Sequence, residues 1–340
     1  MSNEKETTKK KRDLSSVGIL LALVVVIVLM AVLTGGKFLT FENIMNVFRQ
    51  TPMTALFGIG ELCVILLGGI DLSVGATLAF ATCIAGVAYK GGVMNSAVLI
   101  LICLASGAVL GAINGILLTK LHLPHPFIAT LGTKNIYRGM ALLITGATAV
   151  PFAAGTANGV KFLGSVSIAN QFPVSMIFVV IVLIIMHIFL SKTGFGRKIY
   201  AFGGNSEAAR LAGINVDRVQ VVCYALSGFF ASCAGIVYMG RLNSAVPLAY
   251  LEGDSDAIAS CIIGGASFLG GKGNVWGTFV GAFMIATIRN GCDLMGISSD
   301  LQQIVIGAII IGAVTVDVFR TRADAKAKRL AVAKANQEAK

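Results

Sequence analysis

Uncharged apolar runs recur along this chain, and they limit its fold more than any other feature does. The most uniform, residues 174–190, reads VSMIFVVIVLIIMHIFL. A helix needs about 20 apolar residues to cross a hydrocarbon layer about 30 Å thick. Lipid offers no partner to a bare N–H or C=O, so runs of this kind must be helical. With 56 % hydrophobic and 13 % charged residues among 340, the composition is that of an all-α, polytopic membrane protein. The 40 glycines suit helices that pack closely or break within the membrane.

About ten spans are expected, near residues 17–34, 51–69, 73–89, 95–119, 127–147, 173–190, 219–240, 257–271, 274–290 and 301–317. They form one membrane domain, 17–318, between a basic tail at 1–16 and a second basic tail at 319–340. The first run follows a basic patch but no small-residue cleavage site follows it, so it reads as an uncleaved span. Residues 38–50 place Phe41, Ile44, Val47 and Phe48 at helical spacing, which predicts a helix lying flat on the outer face. The 173–190 span is expected to face lipid. Glu252, Asp254 and Asp256 mark an acidic outer loop.

Charge sets the orientation. Most of the 27 Lys and Arg fall in the two tails, at Lys120, at Lys272 and in the 192–218 loop. The expected outer loops hold only Lys37, Arg49, Lys90, Lys161 and Arg241. By the positive-inside rule both termini and the 192–218 loop are cytosolic. The net charge of +11 therefore reports topology, and no aromatic–basic interleaving points to nucleic acid.

Soluble chemistry finds little support. The seven cysteines mostly sit singly in apolar runs with no C-x-x-C spacing, and His122, His125 and His187 form no pair at ligand spacing. No catalytic group, metal or cofactor is expected. Residues 264–273 (GGASFLGGKG) look like a phosphate loop but fail the pattern, because Gly271 stands where Lys belongs and Gly273 follows Lys272. An ATP-driven process would need a separate engine.

Charged groups within spans are the default functional candidates: Glu61, Asp71, Arg138 and Arg289, with Lys134 nearby. Asp71 reads equally as a cap for the helix after it. Arg138 and Arg289 read also as braces holding carboxylates or carbonyls of broken helices. Lys134, Asn135 and Arg138 predict that the fifth span faces the protein interior. Gly68, Gly69, Asp71 and Ser73 precede a span with almost no loop, so the chain must turn sharply at membrane depth. The runs VILLGG (64–69) and CIIGG (261–265) are alike, hinting at two related halves with Gly264 and Gly265 opposite Gly68 and Gly69. Asn114, Thr130, Thr133, Asn135, Ser267 and Asn290 could line a polar path or bond between helices.

The longest polar interruption, 192–218, contains a short helix signal: Ser206, Glu207, Ala208, Ala209, Arg210, Leu211, Ala212 and Gly213. Asn205 or Ser206 can cap its start, Glu207 suits the positive end of its dipole, and Gly213 ends it. So short a helix is marginal in water and needs something to rest on. We read it as a docking peg for a soluble partner.

Several stretches together resemble the permease subunits of bacterial ABC importers for sugars, the ribose/xylose/arabinose/galactoside class, and look closest to the ribose type. They are F-x-N-I-x-N-V at 41–47, GGIDLSVG at 68–75, PFIATLGT at 126–133 and GFGRKIYAFGGNSEAARLAGINV at 194–216. DAIASCIIGGASFLGGKGNVWGTFVGAF at 256–283, then Arg289-Asn290-Gly291 and residues 298–307, complete the set. The resemblance implies a bacterial inner-membrane protein with no catalysis of its own and no bound cofactor. It also implies two cytosolic ATPase subunits, an extracytoplasmic sugar-binding protein meeting the outer loops, 241–256 included, and a second permease copy, alike or different. It makes 206–213 the coupling helix, seated in the ATPase. Gly68, Gly69, Asp71, Ser73, Asn135, Arg138, Gly264, Gly265 and Asn290 are the candidate translocation residues. Arg289 and Asp293 depart from the pattern by placing charge where such permeases keep polar, uncharged residues, as does His125 between its prolines. The same architecture importing a nucleoside or other small polar solute is an alternative. So is an ion-coupled secondary carrier working through Glu61, which would have no need of the peg.

Overall fold

The computed structural model describes residues 2–121, 123–153, 155–169, 171–315 and 318–319, with backbone alone over 2–17. The basic groups of the 1–16 tail, His122 and nearly all of the 319–340 tail lie outside the described residues. In chain order come α1 (Ser2–Leu33), a 3-10 turn (Lys37–Leu39), α2 (Phe41–Ile65), α3 (Val74–Lys90), α4 (Ser96–Lys120) and α5 (Pro126–Thr145). Then follow β1 (Val150–Pro151), α6 (Asn158–Ser165), β2 (Ser167–Ile168), β3 (Phe172–Pro173), α7 (Val174–Lys192), α8 (Gly194–Gly204) and α9 (Ser206–Leu211). The chain closes with α10 (Val216–Leu242), β4 (Ser244–Ala245), α11 (Gly253–Ile263), α12 (Val275–Leu294) and α13 (Ser299–Thr315). Among the described residues, strands are confined to two antiparallel pairs, β1–β4 and β2–β3.

The all-α membrane expectation holds. On length and composition alone, α4, α7 and α10 can cross a membrane. The remaining long helices carry too many polar groups or too few residues to qualify separately. At 11 residues α11 reaches only about 16 Å, half a crossing. The expected 257–271 span is therefore a half-helix followed by a loop.

The flat outer helix expected at 38–50 is corrected. From Phe41 it is the first half of α2, which runs on through Pro52. Its apolar face has protein to pack on: Val47 and Phe38 are buried with Met30, Met284 and Ile288. With that contact available, the stretch needs no membrane surface. The 173–190 helix leaves one face uncovered by this chain, where Ile181, Ile184, Ile185 and Ile188 are exposed, while Val179, Leu183, Met186 and Leu190 are buried in the core.

The centre of the molecule joins Leu56, Phe57 and Leu62 of α2 to Leu183 of α7, Phe230 and Ala234 of α10, and Ile258 and Ile262 of α11. In lipid, burying such groups excludes no water, so the gain is close packing. The α4–α10 crossing takes this furthest. A Cβ on Gly111 would fall on the Tyr224 carbonyl oxygen, and one on Gly228 would fall on that of Gly107. Backbone meets backbone there, with no side chain between.

Two ends result. At one, α6 packs on the last turn of α10, and β1 pairs with β4 in the register Val150↔Ala245 and Pro151↔Ser244. At the other lie α8 and α9. The helix α8 was not read from the sequence; Thr193 caps its start, its hydroxyl accepting from the Gly196 N–H at 3.0 Å.

Candidate functional site

Past Ile65, α2 ends in a tight backbone turn in which Gly68 takes φ +77°, and the Gly69 N–H returns to the Val64 carbonyl at 3.1 Å. The chain then doubles back, because the Asp71 N–H donates to Glu61 Oε1 at 3.0 Å. The Ile70 carbonyl accepts from the Thr130 hydroxyl at 3.3 Å and the Tyr224 hydroxyl at 3.4 Å. Protein thus satisfies the backbone that the broken helix leaves bare, as membrane depth requires.

Asp71 is the knot of this first break. Its Oδ1 accepts from the Ser73 N–H (2.9 Å), the Ser73 hydroxyl (2.6 Å) and the Asn114 amide (3.5 Å), while Oδ2 accepts from the Ser227 hydroxyl (2.9 Å). The Asn114 amide also reaches Ser73 Oγ at 2.8 Å. Asp71, Ser73, Asn114 and Ser227 are all buried. The carboxylate therefore binds two helices, α4 and α10, to the turn that opens α3.

The second break follows α11. The Gly264 and Ala266 N–H groups close on Ser260 and Cys261, and Gly265 takes φ +86°. A Cβ on Gly264 would fall on the Gly277 carbonyl oxygen of α12. The loop closes on itself from the Ser267 N–H to the Lys272 carbonyl at 2.9 Å, and Asn274 caps α12 by accepting from the Gly277 N–H at 2.7 Å. A helix leads into this glycine run, so it lacks the strand a phosphate loop needs.

The two breaks touch. The Gly271 N–H donates to the Leu66 carbonyl at 2.9 Å. On that same carbonyl sits Gly203 of α8, where a Cβ would collide with the Leu66 oxygen and displace the Gly271 amide. The Tyr200 hydroxyl, one turn earlier on α8, donates to the Gly273 carbonyl at 2.9 Å. So α8 rests on both loops at once. Neither Tyr200 nor Gly203 was singled out in the sequence; the Gly203–Gly204 pair at a helix end was the available signal.

From there the chain passes to α9. Asn205 caps it, accepting from the Ala208 N–H at 2.9 Å. Gly213 ends it at φ +80°, with its N–H on the Arg210 carbonyl and that of Ile214 on Ala209. Of the eight residues read as the peg, only Ala209 is buried; Leu211 is 84 % exposed. A single exposed leucine is common on protein surfaces; here it leaves the outer face of α9 uncovered by the rest of the described chain.

The cationic candidates Lys134, Arg138 and Arg289 act as braces. The Arg138 Nη1 donates to the Pro247 and Ala249 carbonyls, each at 2.8 Å. Lys134 pairs with Asp254 and Arg289 with Asp256, both at 2.7 Å, and Glu252 stands 3.6 Å from Arg289. Asp254 and Asp256 are thus corrected from an acidic outer loop to buried groups in the first turn of α11, where the helix dipole favours them. Asn290 accepts from the Asn43 amide at 2.8 Å and bonds α12 to α2. Asn135 is different: it is exposed on α5, not turned to the interior of this chain as expected.

Residues 43–314 match the model of a protein family described as "Branched-chain amino acid transport system / permease component". The chain is 39 % identical over 323 residues to the ribose import permease protein RbsC of Bacillus subtilis (strain 168), covering 93 % of this chain and 98 % of that one. It is 39 % identical over 300 residues to the D-allose transport system permease protein AlsC of Escherichia coli (strain K12), covering 88 % and 90 %. With the xylose transport system permease protein XylH of Haemophilus influenzae it shares 32 % over 355 residues, covering 88 % and 94 %. No solved structure matches the chain.

Proposed function

The chain belongs to the branched-chain amino acid transport system permease family, and we propose that its own cargo is a monosaccharide. The relatives above are, by their names, permeases for ribose, allose and xylose, and the chain spans nearly the full length of each. In this reading it is the non-catalytic, multi-pass subunit of an ABC importer in the bacterial inner membrane. ATP is hydrolysed on partner chains, and an extracytoplasmic binding protein delivers the sugar. Both termini and α9 face the cytosol, as the distribution of Lys and Arg demands.

The observation that carries the mechanism is the contact of α8 with both broken-helix loops. Residues 206–213 dock in the ATPase. When the ATPase moves, α8 transmits the displacement through Gly203 to Leu66 and through Tyr200 to Gly273, and so to the loops before α3 and α12. Gly68, Gly69, Gly264 and Gly265 are then hinge positions. Asp71 and Ser73 anchor the first hinge, Arg138 braces the 243–252 loop, and Asn290 ties α12 to α2. The exposed amide of Asn135 would be costly against lipid. It is placed instead against a second permease copy, with the translocation path between the two.

The test is ATP hydrolysis and uptake by this chain in lipid vesicles with its ATPase and binding protein, offered D-ribose, D-allose, D-xylose and branched-chain amino acids. Uptake of one sugar with stimulated hydrolysis supports the reading; uptake of an amino acid alone overturns the cargo. Replacing Glu207 and Leu211 together by Ala should cut uptake at least tenfold, by removing about 2 kcal/mol of docking contact. Wild-type uptake by a well-folded double variant would remove α9 from the mechanism.

A further inference from the structure

Where α2, α12 and the first turns of α13 meet the 243–252 loop, a pocket of about 210 Å³ is lined by Gln50, Thr54, Tyr250, Arg289, Asp293 and Gln302. It lies apart from the glycine breaks and the α8 contact.

Its polar groups are fixed but incompletely used. The Gln302 amide donates to Asp293 Oδ1 at 2.8 Å and to the Ile297 carbonyl at 3.0 Å, which orients the Asp293 carboxylate and leaves its second oxygen open as an acceptor. Arg289 is held by Asp256 through Nη2, yet its buried Nε has no hydrogen-bond partner among the described residues. Gln50 adds an amide that both donates and accepts. The Tyr250 ring is set by Phe57 and Tyr238, at centroid distances of 5.2 and 6.0 Å, and Met53 extends the apolar wall beside it.

This inventory selects a class of ligand. The volume equals about seven waters, room for one monosaccharide ring. A sugar presents hydroxyls that donate and accept, together with a C–H face that packs on an aromatic ring. The pocket offers carboxylate and amide oxygens, amide donors and a fixed ring. An anion gains little, because Asp256 and Glu252 already balance the guanidinium. We infer that this pocket is a subsite of the permease that holds a neutral monosaccharide on its way through. The inference rests on the sugar-importer reading above and assigns part of the selection to the membrane subunit itself.

The experiment compares uptake of labelled D-ribose, D-allose and D-xylose by vesicles holding the full complex, with wild type, Gln50→Leu, Thr54→Val or Asp293→Asn. Binding-protein-stimulated ATP hydrolysis is measured alongside. Each lost hydrogen bond should lower uptake about tenfold and alter the order of the three sugars, with hydrolysis unchanged. Thr54→Val keeps the side-chain shape, so it tests the subsite even if the Asp293 variant folds poorly. Unchanged uptake and sugar order in all three variants, or parallel loss of hydrolysis and uptake, would mean a water-filled structural pocket and overturn the inference. If the wild-type complex takes up amino acids and no sugar, the underlying reading fails, and the subsite with it.

Discussion

The two broken-helix loops look alike in sequence, yet they are held in different ways. The first, between α2 and α3, is built around the Asp71 carboxylate, with donors from Ser73, Asn114 and Ser227 gathered from α4, α10 and the loop itself. The second, between α11 and α12, has no buried carboxylate at its centre among the described residues. Backbone hydrogen bonds hold it, together with the Ser267 hydroxyl oxygen, which accepts from the Leu269 N–H at 3.4 Å, and the Tyr200 hydroxyl on Gly273, while Gly265, Leu269 and Lys272 are exposed. A buried carboxylate with four donors resists displacement, because any shift leaves donors unpaired in a dry interior. Backbone turns of glycine impose no comparable cost. The difference assigns a fixed fulcrum to the first break and the larger travel to the second, with α8 resting on both.

The largest expected effect is on the fulcrum. Asp71→Ala strands the Ser73, Asn114 and Ser227 donors and should cost about 3–5 kcal/mol, read as a steep fall in thermal stability of the purified protein. Stability equal to wild type would show that the first break has no such anchor. Next comes Gly203→Ala, whose methyl collides with the Leu66 carbonyl. It should lower stability by about 1–3 kcal/mol and uncouple the complex, leaving basal ATP hydrolysis but little uptake. Normal uptake would separate α8 from the first loop. The smallest effect is expected from Tyr200→Phe, which removes one hydrogen bond to the second loop, about 1 kcal/mol, and should slow uptake a few-fold with little change in stability. A loss of stability as large as that of Asp71→Ala would reverse the comparison.

Much of this arrangement was legible in the residues. The apolar runs located most of the long helices, the glycine pairs at 68–69 and 264–265 located the breaks, and Asn205 through Gly213 bounded α9, because each of those signals is local. What failed was tertiary. The 38–50 stretch has the pattern of a surface helix, and periodicity cannot show that Met30 and Ile288 cover its apolar face. Asp254 and Asp256 read as solvated acids because their partners, Lys134 and Arg289, lie far away in sequence. Asn135 shares a helix with two inward-reaching cations and lies only about 60° round it from Arg138, yet it is exposed; Lys134 and Arg138 reach inward on long stems that a short amide lacks. The helix α8 was hidden because its glycines and basic residues resemble a loop, and its value rests on fitting the Leu66 carbonyl.

The side-chain-free crossing of α4 and α10 has a mechanical consequence. Two rods pressed backbone to backbone cannot roll past each other, so they tilt as one stiff beam. With 27 residues α10 is about 40 Å long, and it begins four residues after Ala212 and ends against α6 and β4. A tilt of about 5° at its first turn would sweep the far end through about 3.5 Å. If α9 docks as proposed, a push received there would be carried along α10 to the opposite face of the molecule.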